Sequence, residues 1–210
     1  MVSDGGGPHE PGASRRADGW SPPVHEHGRR ANGHAGWTFN GTRVFEERAA
    51  SFLAAGLAAG ERLIFVSDDP DPDRLPSELV ASGALLVLST GEIYGPDRIV
   101  DSFVQRRTFE RAAEDAVSMG YAGLRVTADN TSLIAGVRRL DAWVGWETEA
   151  EALMQRKRVT GLCAFDVARA DAAALRVVMA LHTFGPDDVV VEVGGGYPAS
   201  STARSRTAKR

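Results

Sequence analysis

Hydrophobic residues follow two different spacings along most of the chain. Runs of consecutive apolar residues predict buried strands at 63–66, 85–88, 124–128, 159–165 and 189–193, and Trp37-Thr38-Phe39 predicts another short strand. Between them, apolar residues at helical spacing predict helices over 42–59, 72–82, 96–119, 134–158 and 171–182. Strands that alternate with helices of this length are typical of right-handed βαβ units. The pattern therefore predicts an α/β domain with three layers, a mostly parallel sheet with helices on both faces.

The pattern stops at both ends of the chain. Residues 1–33 are rich in Gly and Pro and almost lack aliphatic side chains, so burial cannot offset the entropy of ordering them. We therefore expect a disordered N-terminal arm over 1–33, a folded domain over 34–197 and a disordered basic tail over 198–210. The last seven residues contain four basic side chains and no acid, which is more typical of a solvated segment than of a binding site.

Composition narrows the classes of protein that the chain can belong to. The net charge of −4 argues against a protein that coats nucleic acid or a membrane surface. The longest apolar stretch, 49–60, is too short to span a bilayer, and the N-terminus has no hydrophobic signal segment. The single cysteine excludes an internal disulfide and a multi-cysteine zinc site. We expect a cytoplasmic protein that contacts neither nucleic acid nor membrane directly.

Lysine is nearly absent. Only Lys157 and Lys209 occur among the 24 basic residues, so the other 22 are arginines. Chemistry that needs an amine, such as a Schiff base or the lysine of a phosphate-binding loop, has very few candidates here.

Three of the predicted strands end at an aspartate, namely Asp68, Asp129 and Asp166. Because carboxyl ends of parallel strands meet at one edge of a sheet, these carboxylates would line a polar pocket or hold a hard cation. The alternative is that each caps the following helix or loop, which is common where a strand leads into a helix. Capping is the favoured interpretation.

Glu147 falls on the apolar face of the predicted helix 134–158. A carboxylate on such a face needs a partner, and Arg125, within the strand 124–128, is a plausible one. We therefore hypothesise a buried Arg125–Glu147 pair. It acts either as a structural bridge, the favoured interpretation, or as a group that orients a polar ligand.

The remaining reactive side chains do not indicate an enzyme. His25 and His27 lack acidic or cysteine ligands at suitable spacing, so no metal site or other cofactor is expected. Cys163 lies mid-strand between Leu162 and Ala164, where a cysteine is usually inert, and His182 ends a helix, where it interacts favourably with the dipole. No nucleophile-elbow motif is present, which argues against acyl transfer.

An ordered set of short motifs resembles the MEDS family of DcmR-like sensory domains over about residues 34–197. The motifs are His34-Ala35-Gly36-Trp37, the helix end Phe52–Glu61, Gly120–Val126, Trp146-Glu147, Leu162–Asp166 and His182. The resemblance implies a sensory domain for small hydrocarbon-derived ligands. Trp146 and Phe165 stand where members often have tyrosine, which keeps the aromatic bulk and loses both hydroxyls.

The order of segments is also similar, more distantly, to RecA/KaiC-like ATPases. Asn40-Gly41-Thr42-Arg43 stands at the turn where those proteins have Gly-Lys-Thr, and the lysine is missing. Asp129 stands where that resemblance places a metal-binding carboxylate. Because a phosphate loop needs its lysine to hold the β- and γ-phosphates, the resemblance implies a degenerate phosphate loop without ATP hydrolysis.

Together these observations predict a non-enzymatic sensory or regulatory domain that binds a small ligand or a protein partner near the carboxyl edge of its sheet. The expected contributors to binding are His34, Arg125, Asp129, Trp146 and Glu147. Output would pass through a separate protein, with a sigma-factor control circuit suggested by the family resemblance alone. The alternative is a nucleotide-binding RecA-like domain with weak or no ATPase activity.

Overall fold

The computed structural model describes residues 33–182, which form a five-stranded sheet with helices on both faces. The strands are β1 (Gly33–Phe39), β2 (Arg62–Ser67), β3 (Leu85–Ser89), β4 (Leu124–Asp129) and β5 (Val159–Asp166). Their order across the sheet is β1-β5-β4-β2-β3, and every neighbouring pair is parallel. The predicted α/β class is confirmed. Gly33, predicted to belong to the N-terminal arm, is the first residue of β1. Residues 1–32, the basic tail and the strand expected at 189–193 lie outside the described residues.

Six α-helices of four or more residues connect or follow these strands within residues 33–182. They are α1 (Thr42–Ala58), α2 (Ser77–Ala81), α3 (Thr90–Tyr94), α4 (Ser102–Ser118), α5 (Val137–Arg156) and α6 (Ala172–Leu181). Single 3₁₀ turns occur at Pro72–Arg74 and Thr131–Ile134. The helix expected over 72–82 is therefore broken into a turn and α2, and the one expected from 134 begins at Val137.

The helix predicted over 96–119 is wrong in its first turns. Arg98 has a φ of 56°, a left-handed conformation that a helix does not contain. The helix begins only after Asp101, whose carboxylate accepts hydrogen bonds from the backbone N–H groups of Phe103 and Val104. The apolar pattern misled the prediction because Val100 is buried in the same core as the helix that follows it.

Each strand divides its side chains between two hydrophobic cores, one on each face of the sheet. On β4, Leu124, Val126 and Ala128 pack in the core that α4, α5 and α6 cover. On β2, Leu63 and Phe65 pack in the opposite core, together with buried residues of α1 and α2. Because side chains alternate along a strand, the parity of a residue decides which helices it meets.

This alternation contradicts the hypothesis that Arg125 pairs with Glu147. Arg125 lies between Leu124 and Val126, so it points to the α1 face, whereas Glu147 lies on α5 on the other face. The Nε atom of Arg125 instead donates to Glu61 at 2.6 Å, and both side chains are buried. The guanidinium also lies over the Phe52 ring at 4.7 Å.

Glycines at the end of α1 make this buried pair possible. A Cβ at Gly56 would lie 2.5 Å from Cδ of Arg125, so only glycine leaves a path for the arginine. Gly60 has a φ of 72°, which ends the helix and places Glu61 directly before β2. The Gly56-to-Glu61 motif thus has a structural role, to seat Arg125.

No helix within residues 33–182 is long and apolar enough to cross a lipid bilayer.

Replacing Arg125 with methionine should lower the free energy of unfolding by about 3–5 kcal/mol, because it leaves the Glu61 carboxylate buried without its guanidinium. Urea denaturation followed by circular dichroism measures this. The double variant Arg125→Met/Glu61→Leu should be more stable than Arg125→Met alone. Equal stability of the two variants would show that the pair is not energetically coupled.

Candidate functional site

The three aspartates at the carboxyl edge of the sheet meet around one arginine. Arg169 forms ion pairs with Asp129, with Asp166 at 2.9 Å and with Asp68 at 3.7 Å. The prediction that these carboxylates share one edge is confirmed, and the guanidinium occupies the position that a hard cation would need. Asp68 also accepts hydrogen bonds from Arg98 and from Ser132.

Two of these aspartates also hold the turns that follow their strands, as the favoured capping interpretation expects. Asp129 accepts from the backbone N–H and the hydroxyl of Thr131, and Asp166 accepts from the backbone N–H of Ala168. The hydroxyl oxygen of Thr131 accepts in turn from the backbone N–H of Asp166. The three carboxylates at this edge are therefore paired with neighbouring side chains and backbone N–H groups of the same chain.

The turn between β1 and α1 is short. Only Asn40 and Gly41 separate the last residue of β1 from the first residue of α1. A phosphate-binding loop uses about eight residues, whose backbone N–H groups wrap around the phosphates. Arg43, the basic residue nearest this turn, is exposed and pairs with Glu47 at 2.6 Å.

A small cavity lies inside the other core, between α4, α5 and the strands β4 and β5. Its free volume is about 20 Å³, enough for roughly one water-sized group. Its walls are mostly apolar and aromatic. They include Tyr94, Phe109, Val126, Ala128, Trp143, Trp146, Ala150, Met154, Leu162 and Cys163.

Polar side chains interrupt this apolar wall. Asn130 and Glu147 line the cavity. The Oε1 atom of Glu147 has no hydrogen-bond partner. The side-chain amide of Asn130 is also buried, and the group that it faces is the Cys163 thiol. The indole N–H of Trp143 is also buried without a partner. Because buried polar groups are usually satisfied, several unsatisfied ones around one cavity indicate a place for a polar group that the chain does not supply.

Next to the cavity, Glu147 meets two histidines. Its Oε2 atom lies 2.7 Å from Nε2 of His34 and 3.4 Å from Nε2 of His182. The two imidazole rings meet edge to face, with centroids 4.7 Å apart. Nδ1 of His34 lies 2.8 Å from Glu151, and Nδ1 of His182 lies 2.7 Å from the carbonyl oxygen of Val178. We call His34, Glu147 and His182 the His–Glu–His cluster.

Burial and neighbouring charge shift these histidines in opposite directions. Burial lowers the pKa of His34, but the hydrogen bond with Glu147 and the charges of Glu147 and Glu151 outweigh it, so the pKa lies above its usual value. Burial also lowers the pKa of His182. The charge of Glu147 raises it by less than burial lowers it, so this pKa lies below its usual value. The two imidazoles that contact Glu147 therefore differ in basicity, and His34 is the more basic of the two.

The Cys163 thiol is poorly suited to be a nucleophile. Burial raises its pKa well above the usual value, and the charge of Glu147 raises it further, although the contact with Asn130 opposes both. Burial likewise raises the pKa of Tyr94.

The structure brings together only some of the residues that the sequence indicated. His34 and Glu147 are in direct contact, and Trp146 lines the cavity while stacking on Phe109 at 5.8 Å. Asp129 belongs to the Arg169 network at the edge of the sheet, and Arg125 lies on the opposite face.

Other residues of the site were missed. Asn130 and Trp143 line the cavity, and His182 completes the cluster. Asn130 stands in a polar segment directly after β4, a position that favours ligand contact in parallel sheets. The close contact between Gly36 and His182 could not be predicted from the sequence. A Cβ at Gly36 would lie 2.6 Å from both Cβ and Cγ of His182.

The model of the family described as "MEDS: MEthanogen/methylotroph, DcmR Sensory domain" matches residues 33–183. The chain belongs to the MEDS family. This match covers all the described residues and both the cavity and the cluster. No curated protein matches the chain at a significant level.

Solved structures similar to this MEDS domain include two archaeal proteins. The KaiC-like protein PH0186 from Pyrococcus horikoshii OT3 has a TM-score of 0.47 and 12% identity, covering 73% of this chain and 70% of its own. The flagellar accessory protein FlaH from Methanocaldococcus jannaschii has a TM-score of 0.44 and 13% identity, covering 74% of each chain.

Substituting Gly36 with alanine in this MEDS domain should lower the free energy of unfolding by about 1–3 kcal/mol, because the added methyl group displaces His182 from the cluster. Gly145→Ala is the matched control. Its Cβ would lie 3.6 Å from Oγ of Ser102, an ordinary contact, and the change should stabilise α5 by about 0.5–1 kcal/mol. Urea denaturation compares the two, and a Gly36→Ala variant as stable as the parent would contradict the packing described.

Proposed function

We propose that this MEDS domain is a non-enzymatic sensory module that binds a small organic molecule in the cavity between α4, α5 and the sheet. The observation that carries the proposal is the combination of an aromatic wall with the unpartnered Oε1 atom of Glu147 and the buried amide of Asn130, which faces only the Cys163 thiol. Membership of a family described as a sensory domain supports the same function.

The energetics of the wall support a ligand with a polar end and an apolar body. Each buried polar group left unpaired costs about 1–3 kcal/mol, which a ligand recovers when it donates to Glu147 or bonds to the amide of Asn130. The apolar body would contact Trp146 and Phe109. Since the cavity holds roughly one water-sized group as it stands, we infer a ligand of few heavy atoms whose entry moves these stacked rings apart.

Movement of these rings would carry the signal. Trp146 belongs to α5 and Phe109 to α4, so a ligand between them changes how the two helices pack. We propose that a regulatory protein in the cytoplasm reads this change. A sigma-factor control circuit is the specific form suggested by family analogy.

Nucleotide binding is the alternative, and three features argue against it. The β1–α1 turn has two residues instead of a phosphate-wrapping loop. Lys157 follows α5 and pairs with Glu114 at 2.8 Å, away from that turn. The carboxylate of Asp129 pairs with Arg169, so it is engaged before any metal–nucleotide complex arrives.

Thermal-shift measurements separate the two functions. A panel of small alcohols, amides and chlorinated hydrocarbons should contain compounds that raise the unfolding temperature, since a ligand at 100 times its Kd stabilises the native state by about 2.7 kcal/mol. ATP with magnesium should give no shift. Stabilisation by ATP and magnesium that disappears in Thr42→Ala would favour the nucleotide alternative instead.

The variant Ala150→Val tests the location of the ligand, because Ala150 lines the cavity. Its extra methyl groups should abolish the shift caused by an active compound. Ala113→Val is the control: Ala113 is equally buried in a helix of the same core but does not line the cavity. Both changes should cost about 1–3 kcal/mol of stability. If Ala150→Val still responds to the compound as the parent does, the cavity is not the binding site.

A further inference from the structure

The His–Glu–His cluster brings three potential metal ligands together from separate elements. His34 comes from β1, Glu147 from α5, and His182 from the end of α6. One nitrogen or oxygen atom from each lies within 4.8 Å of the others. All three side chains are at most 3% exposed, so the atoms face each other in the interior.

The orientation of His182 leaves a lone pair directed at the cluster. Its Nδ1 atom lies 2.7 Å from the Val178 carbonyl oxygen. A carbonyl can only accept, so Nδ1 carries the hydrogen and donates it. In the neutral ring the other nitrogen, Nε2, is then an unprotonated acceptor. It has no hydrogen-bond partner and lies 3.4 Å from the Glu147 carboxylate, so two acceptors face each other.

A second carboxylate lies in ion-pair contact with His34, although the angles do not form a hydrogen bond. Nδ1 of His34 lies 2.8 Å from Oε2 of Glu151, and Nε2 points to Glu147. Glu151 is itself held by Gln155, which donates to its Oε1 at 2.5 Å. Histidines that bind metals typically hold their second nitrogen in this way, against a carboxylate or a backbone carbonyl. His182 has such a hydrogen-bonded outer partner, and His34 has an ion-pair contact at the corresponding nitrogen.

The spacing suits a single ion. A tetrahedral zinc ion with bonds of about 2.0–2.1 Å separates neighbouring ligand atoms by about 3.3 Å. Glu147 Oε2 already lies 3.4 Å from Nε2 of His182, and all three ligand atoms lie within 4.8 Å of one another. The 2.7 Å distance from Glu147 Oε2 to Nε2 of His34 must widen by about 0.6 Å, where the ion replaces the shared proton.

We propose that His34, Glu147 and His182 form a mononuclear binding site for a divalent transition-metal ion. Two imidazoles and one carboxylate are a donor set that suits Zn²⁺, and with open positions Fe²⁺. Glu151 and the Val178 carbonyl orient the two rings from outside. The site shares Glu147 with the cavity wall but does not depend on the proposed organic ligand, so either can fail without the other.

Cobalt titration of the metal-free full-length protein tests the site. Co²⁺ is the probe because bound Co²⁺ gives visible absorption bands that report its geometry, and Zn²⁺ should then displace it. We expect one Co²⁺ per chain. The N-terminal histidines could bind metal by themselves, so the titration is repeated with His9→Ala, His25→Ala and His27→Ala combined. This triple variant should keep the absorption bands, and their loss would overturn the proposal.

Ligand variants test the residues in that triple-variant background. Glu147→Gln should weaken Co²⁺ binding by about 100-fold or more, because it removes the anionic ligand at nearly constant volume. Glu61→Gln is the matched control, since Glu61 is a carboxylate buried to the same degree on the opposite face. It should leave the affinity for Co²⁺ unchanged.

Glu151→Gln keeps the test decisive if Glu147→Gln does not fold, because Glu151 is 45% exposed and its replacement is tolerated easily. It should lower the affinity by about 10- to 100-fold, the usual effect of losing an outer partner. Circular dichroism confirms folding of each variant. The absence of stoichiometric binding to the parent, or an unchanged affinity in a folded Glu147→Gln or Glu151→Gln variant, would overturn the proposal.

Discussion

The burial of one carboxylate, that of Glu147, constrains the rest of this face of the domain. An ionised carboxylate in an apolar core is tolerated only when neighbouring groups compensate its charge. The two histidines that contact Glu147 come from β1 and from the end of α6, and α5 itself lies across β1 and β5. The elements β1, α5 and α6 therefore pack around a single carboxylate.

The two faces of the sheet each contain a buried charged cluster, and the clusters differ in how completely they are satisfied. On the α1 face, Arg125 is held by Glu61, by the backbone carbonyl of Phe52 and by the Phe52 ring. On the α5 face, Glu147 and His182 keep atoms without hydrogen-bond partners, beside a cavity. A polar group that folding leaves unsatisfied costs stability, and such groups persist mostly where a ligand uses them. This contrast supports the binding role proposed for the α5 face, whereas the Arg125–Glu61 pair is a structural contact.

Much of the fold was predictable because the two hydrophobic periods are strong. The strands and the parallel sheet follow from apolar runs such as 63–66, and the edge position of Asp68, Asp129 and Asp166 follows from that topology. Which side chains pair with each other was harder to predict from the sequence. Arg125 was assigned to the wrong carboxylate, although alternation along the strand already places it on the face opposite to Leu124 and Val126.

The contact between His34 and Glu147 could not be predicted from alternation along a strand. It depends on β1 pairing with β5, so that His34 lies beside Gly161, and on how α5 crosses these strands. Neither the strand order nor the helix position can be read from local spacing. His182 needs in addition the empty space above Gly36, a close approach that only the folded backbone reveals.

The positions of the two histidines also affect how the domain opens. His34 and His182 are 148 residues apart in sequence, near the first and last described residues, yet their rings touch. Elements that are distant in sequence often open locally and independently of one another. Here β1 and α6 both contact the buried carboxylate of Glu147, so releasing either element exposes that carboxylate. The two elements consequently form one cooperative unit for local opening, with amide hydrogen exchange in α6 linked to that in β1.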